Sequence, residues 1–258
     1  MIHQATAYLK FIRRSKNQHG IHSPFVYQLI TQCFYDKKKR KAYQLWRQAK
    51  KRLLDDKSII EVEDFGAGSK VFKSDQRQVK QIAARVGTSF KRAKLLNRVV
   101  SYLKCETALE LGTSLGLGSL AICLDNPVHL TSLEACPNTL DRAQQLFEEL
   151  GCQEQIKTVK TDFQSYLDQL SSDQNFDLVF IDGHHSYAAT ISYFKQLLKH
   201  KHNDSVFIFD DIHWSKGMEK AWEEICQSEE VKVSLDTFQW GFVFFRKEQA
   251  KEHFRIRV

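Results

Sequence analysis

The stretch TALELGTSLGLGSLAICL, residues 107–124, decides the fold because a strand, a glycine loop and a helix follow one another within it. TALELG is a short apolar run that ends at a glycine, and LGSLAICL has the character of a buried helix. In open α/β sheets, a glycine-rich turn between a strand and a helix is a common place for a nucleotide-like ligand. We therefore expect a ligand site at this turn.

Short apolar runs alternate with helical patterns from this stretch to residue 211. Runs such as DLVFI and VFIF are apolar on both faces, as expected of strands inside a parallel sheet. This alternation predicts an α/β protein with a Rossmann-like, doubly wound sheet of five parallel strands. Further on, VKVSLDTF and WGFVFFRK follow each other without a helix between them, which predicts an antiparallel C-terminal hairpin.

The N-terminal third differs from the remainder in pattern and in charge. QIAARVG and RAKLLNRVVSYLK carry apolar residues at helical spacing, and we expect a basic helical cap over residues 1–90 and a ligand-binding domain over residues 91–258. Residues 1–100 hold 23 Lys and Arg against 7 Asp and Glu, whereas residues 101–258 hold 15 against 24. The excess of positive charge could face nucleic acid, an anionic membrane surface or an acidic substrate, or it could be a solvated helix face.

Composition excludes several classes of protein. The six cysteines form no CxxC pair, so the sequence indicates neither a zinc site nor a disulfide framework. No apolar run approaches the roughly 20 residues that cross a bilayer, and the N-terminus lacks the apolar centre of a signal peptide. We expect a cytoplasmic protein with no transmembrane segment.

A second glycine stretch, EDFGAGSK at residues 63–70, competes for the same interpretation. A short strand precedes it, but helical patterns follow it as far as residue 104, so no neighbouring strand would complete a crevice. We interpret Gly66 and Gly68 as a structural turn that permits positive φ. A loop on the substrate side is the alternative.

The stretch at residues 107–124 does have a neighbouring strand to complete a crevice. Glu134 ends that strand, 24 residues after Glu110. A carboxylate at that position can accept hydrogen bonds from both ribose hydroxyls. GLGSLA, residues 116–121, also fits the dinucleotide pattern G-x-G-x-x-A, but it starts several residues after the strand ends. A nicotinamide-dependent oxidoreductase is therefore disfavoured.

Residues 85–250 resemble the class I S-adenosylmethionine (SAM)-dependent methyltransferases, in particular the O-methyltransferase branch, through LELGTSLG and the strand-end acids. The resemblance implies that Glu110 and Gly112 are the acid and glycine of the first motif, that Glu134 binds the ribose and that Asp162 binds the adenine amino group. It implies the following set of cofactor contacts: Glu110, Gly112, Thr113, Ser114, Gly116, Glu134, Ala135, Asp162, Phe163 and Asp182.

The later strand ends, IDGHHSY and FDDIHWSKG, would bring Asp182, Asp210 and Asp211 to one edge of the sheet. Carboxylates so close together repel, and a divalent cation relieves the repulsion. The pattern resembles metal-dependent O-methyltransferases, which implies that these three residues bind Mg²⁺. The same resemblance implies His213 as the base. Asp182 is a further catalytic candidate, and His184 and His185 are competing bases or groups that support the metal ligands.

Three aromatic residues, Tyr187, Trp214 and Trp240, could wall an aromatic or sugar acceptor, or they could finish the core. Methylation of a small-molecule hydroxyl is the leading functional hypothesis. RNA methylation through the basic N-terminal region is the second, although DGHH replaces the D/N-P-P-Y/F motif of amino-group methylation. A non-catalytic adenosyl-binding module is the third hypothesis, and the resemblance also allows a homodimer.

Overall fold

The structure is a computed structural model that describes residues 2–63, 74–85 and 87–258. The chain divides into two compact units: Asp36–Tyr166 forms one, and Met1–Tyr35 together with Leu167–Val258 forms the other. The predicted boundary between a cap and a ligand-binding domain at residue 90 stays a prediction. Gly66 and Gly68 lie outside the described residues, so both interpretations of their loop also stay predictions.

The strands follow the predicted alternation. In chain order they are β1 (Ile59–Glu61), β2 (Gln76–Gln78), β3 (Thr107–Leu111), β4 (His129–Glu134), β5 (Ile156–Lys160), β6 (Leu178–Ile181), β7 (Val206–Asp210), β8 (Val233–Asp236), β9 (Trp240–Phe244) and β10 (Glu252–Arg255). The five predicted parallel strands are β3 to β7, and the predicted hairpin is β8 with β9. The first two strands form a separate antiparallel pair.

The helices complete the α/β pattern. They are α1 (Ile2–Arg14), α2 (Pro24–Gln28), α3 (Lys41–Asp55), α4 (Val79–Arg85), α5 (Phe90–Leu103), α6 (Leu117–Cys123), α7 (Pro137–Glu149), α8 (Phe163–Asp168), α9 (Tyr187–Leu197) and α10 (Lys216–Gln227). A serine hydroxyl caps the start of four of them by accepting a backbone N–H, namely Ser23, Ser89, Ser186 and Ser215. Among the described residues, no helix has the length and apolarity needed to span a membrane.

In the unit Asp36–Tyr166, the strand order is β3-β4-β5 and every pairing is parallel. The last four residues of β3 and every residue of α6 are buried, because both sequences are mostly apolar. The buried polar side chains of Glu110 and Ser119 are hydrogen-bonded to each other. Leu111 pairs with Leu133, so the glycine loop after β3 lies beside the end of β4. The register thus places the two predicted cofactor segments next to each other.

In the other unit, the strand order is β6-β7-β9-β8-β10. Strands β6 and β7 are parallel, and β9 runs antiparallel to both β7 and β8, which confirms the predicted hairpin. The parallel strand β10 was not predicted, and it extends the sheet beyond the hairpin. Because β8 and β10 run in the same direction as β7, the carboxyl ends of all three lie at one edge.

Candidate active site

The glycine loop after β3 folds back onto β4. The N–H groups of Gly112 and Thr113 both donate to the carbonyl of Leu133, at 3.1 and 3.0 Å. Gly112 has φ 113° and Ser114 has φ 47°, so the loop uses two left-handed residues to make the turn. Gly112 and Ser114 remain half-buried, whereas Thr113 is buried. The loop therefore presents Gly112 and Ser114 to a ligand more readily than Thr113.

Glu134 joins this loop to the next helix. Its Oε2 accepts the N–H of Ser114 at 2.8 Å, and its Oε1 accepts the N–H of Cys136 at 3.0 Å. The side chain is half-buried, as is the following Ala135. A carboxylate has about four lone-pair positions, so Glu134 can accept further hydrogen bonds. Glu134 therefore contacts the glycine loop at Ser114, and its predicted binding of the ribose stays a prediction.

Glu110 lies beneath the loop and has no exposed surface. Its Oε2 accepts hydrogen bonds from the hydroxyls of Ser119 and of Ser132, the latter at 2.6 Å, and its Oε1 has no partner among the described residues. Burial raises the pKa of Glu110 to about 7, although the bonds from Ser119 and Ser132 act against this rise. The hydrogen bonds of Glu110 join β3 to α6 and to β4, and its predicted contact with the cofactor stays a prediction.

Gly116 starts α6 with φ 81°. A Cβ at this position would lie 2.5 Å from Cε1 of Phe147 and 3.2 Å from Cβ of Ala143. The close approach of α7 therefore requires a glycine here. Its predicted contact with a cofactor finds no support in its position, because Gly116 is buried.

Asp162 and Phe163 open helix α8. Asp162 is exposed, and its Oδ1 accepts the N–H of Ser165 at 2.9 Å. Hydrogen bonds from the side chain and backbone of Ser165 hold the pKa of Asp162 below its ordinary value. Asp162 is thus an ionised helix cap whose exposure leaves it accessible to a ligand.

A second set of candidate residues lies in the unit that contains β6 and β7. Asp182, His185 and Asp210 bring one ligand atom each to within 4.8 Å of one another. Ile181 pairs with Phe209 across the parallel strands, so each aspartate lies one residue beyond a paired position. Neighbouring strand ends therefore bring Asp182 and Asp210 together, as predicted.

The third member of this cluster differs from the prediction. Asp211, which was predicted to bind metal, is not in the cluster; it has φ 52° and its carbonyl accepts the N–H of Trp214 in a turn. His185, predicted as a competing base, takes that place. His184 also has positive φ, at 53°, and this kink in DGHH precedes the capping Ser186. The sequence signal for His185 was its position three residues after Asp182.

His213 is held by two carboxylates. Its Nδ1 lies 2.9 Å from Glu219 and its Nε2 lies 3.1 Å from Asp236, so both ring nitrogens are engaged. Burial lowers the pKa of His213, but the hydrogen bonds and charges of Asp236 and Glu219 outweigh burial, and the pKa is raised. A general base needs a free lone pair on nitrogen. This arrangement therefore does not suit the predicted role of His213 as the base.

The structure distinguishes among the three aromatic residues that could line the binding site of a methyl acceptor. Trp240 is 1% exposed and packs against Phe180, which makes it a core residue. The hydroxyl of Tyr187 donates to Glu224 at 2.5 Å, and Lys220 lies over its ring. Trp214 is half-buried in the turn after Asp211. Trp214 and the half-buried ring of Tyr187 stay candidate walls, whereas Trp240 does not.

The chain was compared with protein-family models and with curated proteins. A family model described as a methyltransferase domain matches residues 109–212. A search of curated proteins found no match for the chain.

Solved structures resemble the chain over most of its length. An S-adenosylhomocysteine (SAH)-bound methyltransferase from Podospora anserina is 13% identical, with TM-score 0.60 over 88% of this chain and 97% of its own. An O-methyltransferase from Bacillus cereus in complex with SAH is 16% identical, with TM-score 0.56 over 84% and 96%. The O-methyltransferase TomG from Streptomyces achromogenes, involved in tomaymycin synthesis and in complex with SAM, is 15% identical, with TM-score 0.57 over 86% and 95%.

At these identities the structural similarity establishes the fold, and the family match runs from within β3 to just after β7. The predicted Rossmann-like α/β fold is confirmed, and so is the predicted resemblance. Residues 109–212 thus match a methyltransferase domain, and the chain has the fold of the methyltransferase structures that it resembles.

Proposed function

We propose that the chain transfers a methyl group from SAM to a hydroxyl of a small molecule. The observation that carries the proposal is the contact between Ser114 and Glu134, which sets a half-buried acid beside the glycine loop in the matched domain. Structural neighbours with the same fold include O-methyltransferases in complex with SAM or SAH.

The cofactor would be bound by those predicted contact residues that are not fully buried. Glu134 would accept the ribose hydroxyls, and Asp162 would accept the adenine amino group. Gly112 and Ser114 would line the methionine side of the loop, because they are its half-buried members. Glu110 and Gly116 would act indirectly, the first by supporting the loop and the second by allowing α7 to pack closely.

The donor set Asp182, His185 and Asp210 fits a divalent cation. Two carboxylates satisfy Mg²⁺, but an imidazole suits a transition ion such as Mn²⁺ better. When bound, such an ion would lower the pKa of the attacking hydroxyl. We therefore propose Asp182, His185 and Asp210 as ligands, in place of the predicted trio with Asp211.

We propose His184, in place of His213, as the general base that removes the proton of the acceptor hydroxyl. No hydrogen bond occupies the ring nitrogens of His184 within the described part of the chain, and its side chain is half-buried beside Tyr193. An imidazole with an open ring nitrogen can act as a general base. Asp182, two residues before His184 in the same loop, would be a ligand of the cation rather than the group that takes the proton.

Calorimetric titration with SAH tests the cofactor part. We expect saturable binding, and Glu134→Gln should weaken it by about tenfold or more, since a hydrogen bond to a charged group is worth roughly 1.5–3 kcal/mol. Glu148→Gln removes an exposed carboxylate from α7 and should leave the affinity unchanged. If titration with SAM and with SAH produced no heat of binding, the proposal would be wrong.

RNA methylation is the second candidate, and the exposed face of α3 favours it. Lys41, Arg47, Lys51 and Arg52 are exposed on this helix. Basic residues on one face attract phosphates in a salt-dependent way. Filter binding of total RNA at 50 and 300 mM NaCl distinguishes the candidates, because an RNA enzyme should bind strongly at low salt and lose most of that binding at high salt.

A further inference from the structure

The unit formed by Met1–Tyr35 and Leu167–Val258 contains a cavity of about 510 Å³ between α1, α10 and the ends of β8 and β10. Its lining includes none of the proposed cofactor or cation ligands. Phe11, Trp222 and Cys226 supply apolar walls. Pockets of roughly 300–1,000 Å³ commonly hold small organic molecules.

One wall of the cavity is fixed by polar contacts. His213 bridges Glu219 and the buried Asp236, and Phe238 donates its N–H to Asp236 Oδ1 at 2.8 Å. The ring of Phe238 stacks on His213 at 5.1 Å and contacts Phe11 at 5.6 Å, measured between ring centroids. A wall that is ordered in advance binds a ligand at a lower entropic cost. The network therefore gives His213 a structural role at this cavity.

The charges at the cavity favour an anion. The lining contains four Lys and Arg and three carboxylates, namely Lys10, Arg14, Lys251, Arg255, Glu219, Glu223 and Asp236. Asp236 is 3.5 Å from Nε of Arg255 and also bonds to His213, while Glu219 bonds to His213. Lys10 and Arg14 are exposed on α1, and no ion pair joins them to a carboxylate within the described residues. Two cations are thus available beside apolar walls.

The thiol in the lining does not indicate covalent chemistry. Burial raises the pKa of Cys226 to about 12, so the group stays a neutral thiol and a poor nucleophile. We propose that this cavity reversibly binds a small organic anion, with an apolar, aromatic body against Phe11 and Trp222 and an acidic group at Lys10 and Arg14. The proposal is independent of methyl transfer.

Fluorescence titration with anilinonaphthalene sulfonate, an aromatic anion, tests the proposal on the full chain. Phenylnaphthylamine has nearly the same apolar body without the acidic group and serves as the matched probe. The test variant is Lys10→Gln with Arg14→Gln. The control is Arg13→Gln with Lys16→Gln, which also removes one Arg and one Lys from exposed positions but not from the cavity.

We expect one saturable sulfonate site whose affinity falls about fivefold to tenfold in the test variant, since two exposed charge pairs are lost and each contributes modestly. The control variant should bind like the wild type, and the neutral probe should bind more weakly and equally in all three proteins. Circular dichroism establishes that the variants are folded. Unchanged sulfonate affinity in the test variant, the absence of saturation, or displacement of the sulfonate by SAH would each overturn the proposal.

Discussion

The backbone N–H of Ser114 donates to Oε2 of Glu134 at 2.8 Å, which joins the glycine loop after β3 to the end of β4. The other oxygen of Glu134 accepts the N–H of Cys136, directly before α7. One side chain thus holds the turn and the next helix in register. Binding and stability should therefore both depend on this carboxylate.

Glu134→Ala should lower the free energy of unfolding by about 1–3 kcal/mol, because two backbone N–H groups lose their acceptor. Urea denaturation followed by circular dichroism measures the change. Glu148→Ala, at an exposed position of α7, is the control and should alter stability by no more than about 0.5 kcal/mol. Equal effects of the two substitutions would show that the contacts of Glu134 contribute nothing to stability.

The buried Glu110 should make stability depend on pH. Its pKa is raised from 4.5 to about 7, so the folded state binds this proton more tightly than the unfolded state does. The group therefore costs nothing below pH 4.5, and its contribution to stability becomes increasingly unfavourable as the pH rises from 4.5 to about 7.

Substitution of Glu110 by Gln removes that titration. The stability of Glu110→Gln relative to the wild type should rise between pH 5 and pH 8, by up to roughly 3 kcal/mol. Urea midpoints across this pH range give the measurement, and Glu148→Gln should show a constant difference. A constant difference for Glu110→Gln too would place the pKa of Glu110 near its ordinary value.

Gly116→Ala should destabilise the protein by about 2–4 kcal/mol, since the new methyl group meets the ring of Phe147 at a positive φ. Gly151→Ala is the matched control, because Gly151 also has positive φ, at 66°, but a Cβ there would have no neighbour within 4 Å among the described residues. It should cost only about 1–2 kcal/mol. Thermal melts of the two variants would separate steric overlap from backbone strain, and equal losses would argue against the overlap.

Much of the fold followed from local patterns. Strands β6 and β7 were identifiable because they are apolar on both faces, which only a doubly covered sheet requires. Strand β10 was missed, since Glu252–Arg255 is short and partly exposed and its state depends on pairing with β8. Local sequence carries little information about such a tertiary partner.

The candidate site was predictable where neighbouring strand ends determine it, as for the pairs Gly112 with Glu134 and Asp182 with Asp210. The positions of site residues were not predictable where they depend on backbone conformation or on a residue far along the chain. Asp211 lies outside the cluster because its backbone is left-handed, and no sequence pattern indicates that conformation. His213 is engaged by Asp236, a residue 23 positions further along the chain, and spacing alone could not indicate that contact.

His213 should titrate above its ordinary pKa because Asp236 and Glu219 stabilise the imidazolium. The stability that this interaction contributes is present below pH 6.5 and is lost as the pH rises through the raised pKa. NMR titration of the His213 ring measures the value directly. Glu219→Gln should lower it, whereas Glu223→Gln, a carboxylate of the same helix that does not contact His213, should leave it nearly unchanged. Equal pKa values in Glu219→Gln and the wild type would exclude the proposed charge pairing.

Cation binding distinguishes the observed cluster from the trio predicted by sequence. Mn²⁺ titration followed by electron paramagnetic resonance should detect binding to the wild type and a loss of at least tenfold in affinity for Asp182→Asn, because one of two charged ligands becomes neutral. His185→Ala should weaken binding, and it should weaken Mn²⁺ more than Mg²⁺, since imidazole is the better ligand for the transition ion. Asp211→Asn should bind Mn²⁺ like the wild type, because Asp211 lies outside the cluster. If instead Asp211→Asn lost the ion and His185→Ala kept it, the side chains would rearrange on binding to the set that the sequence indicated.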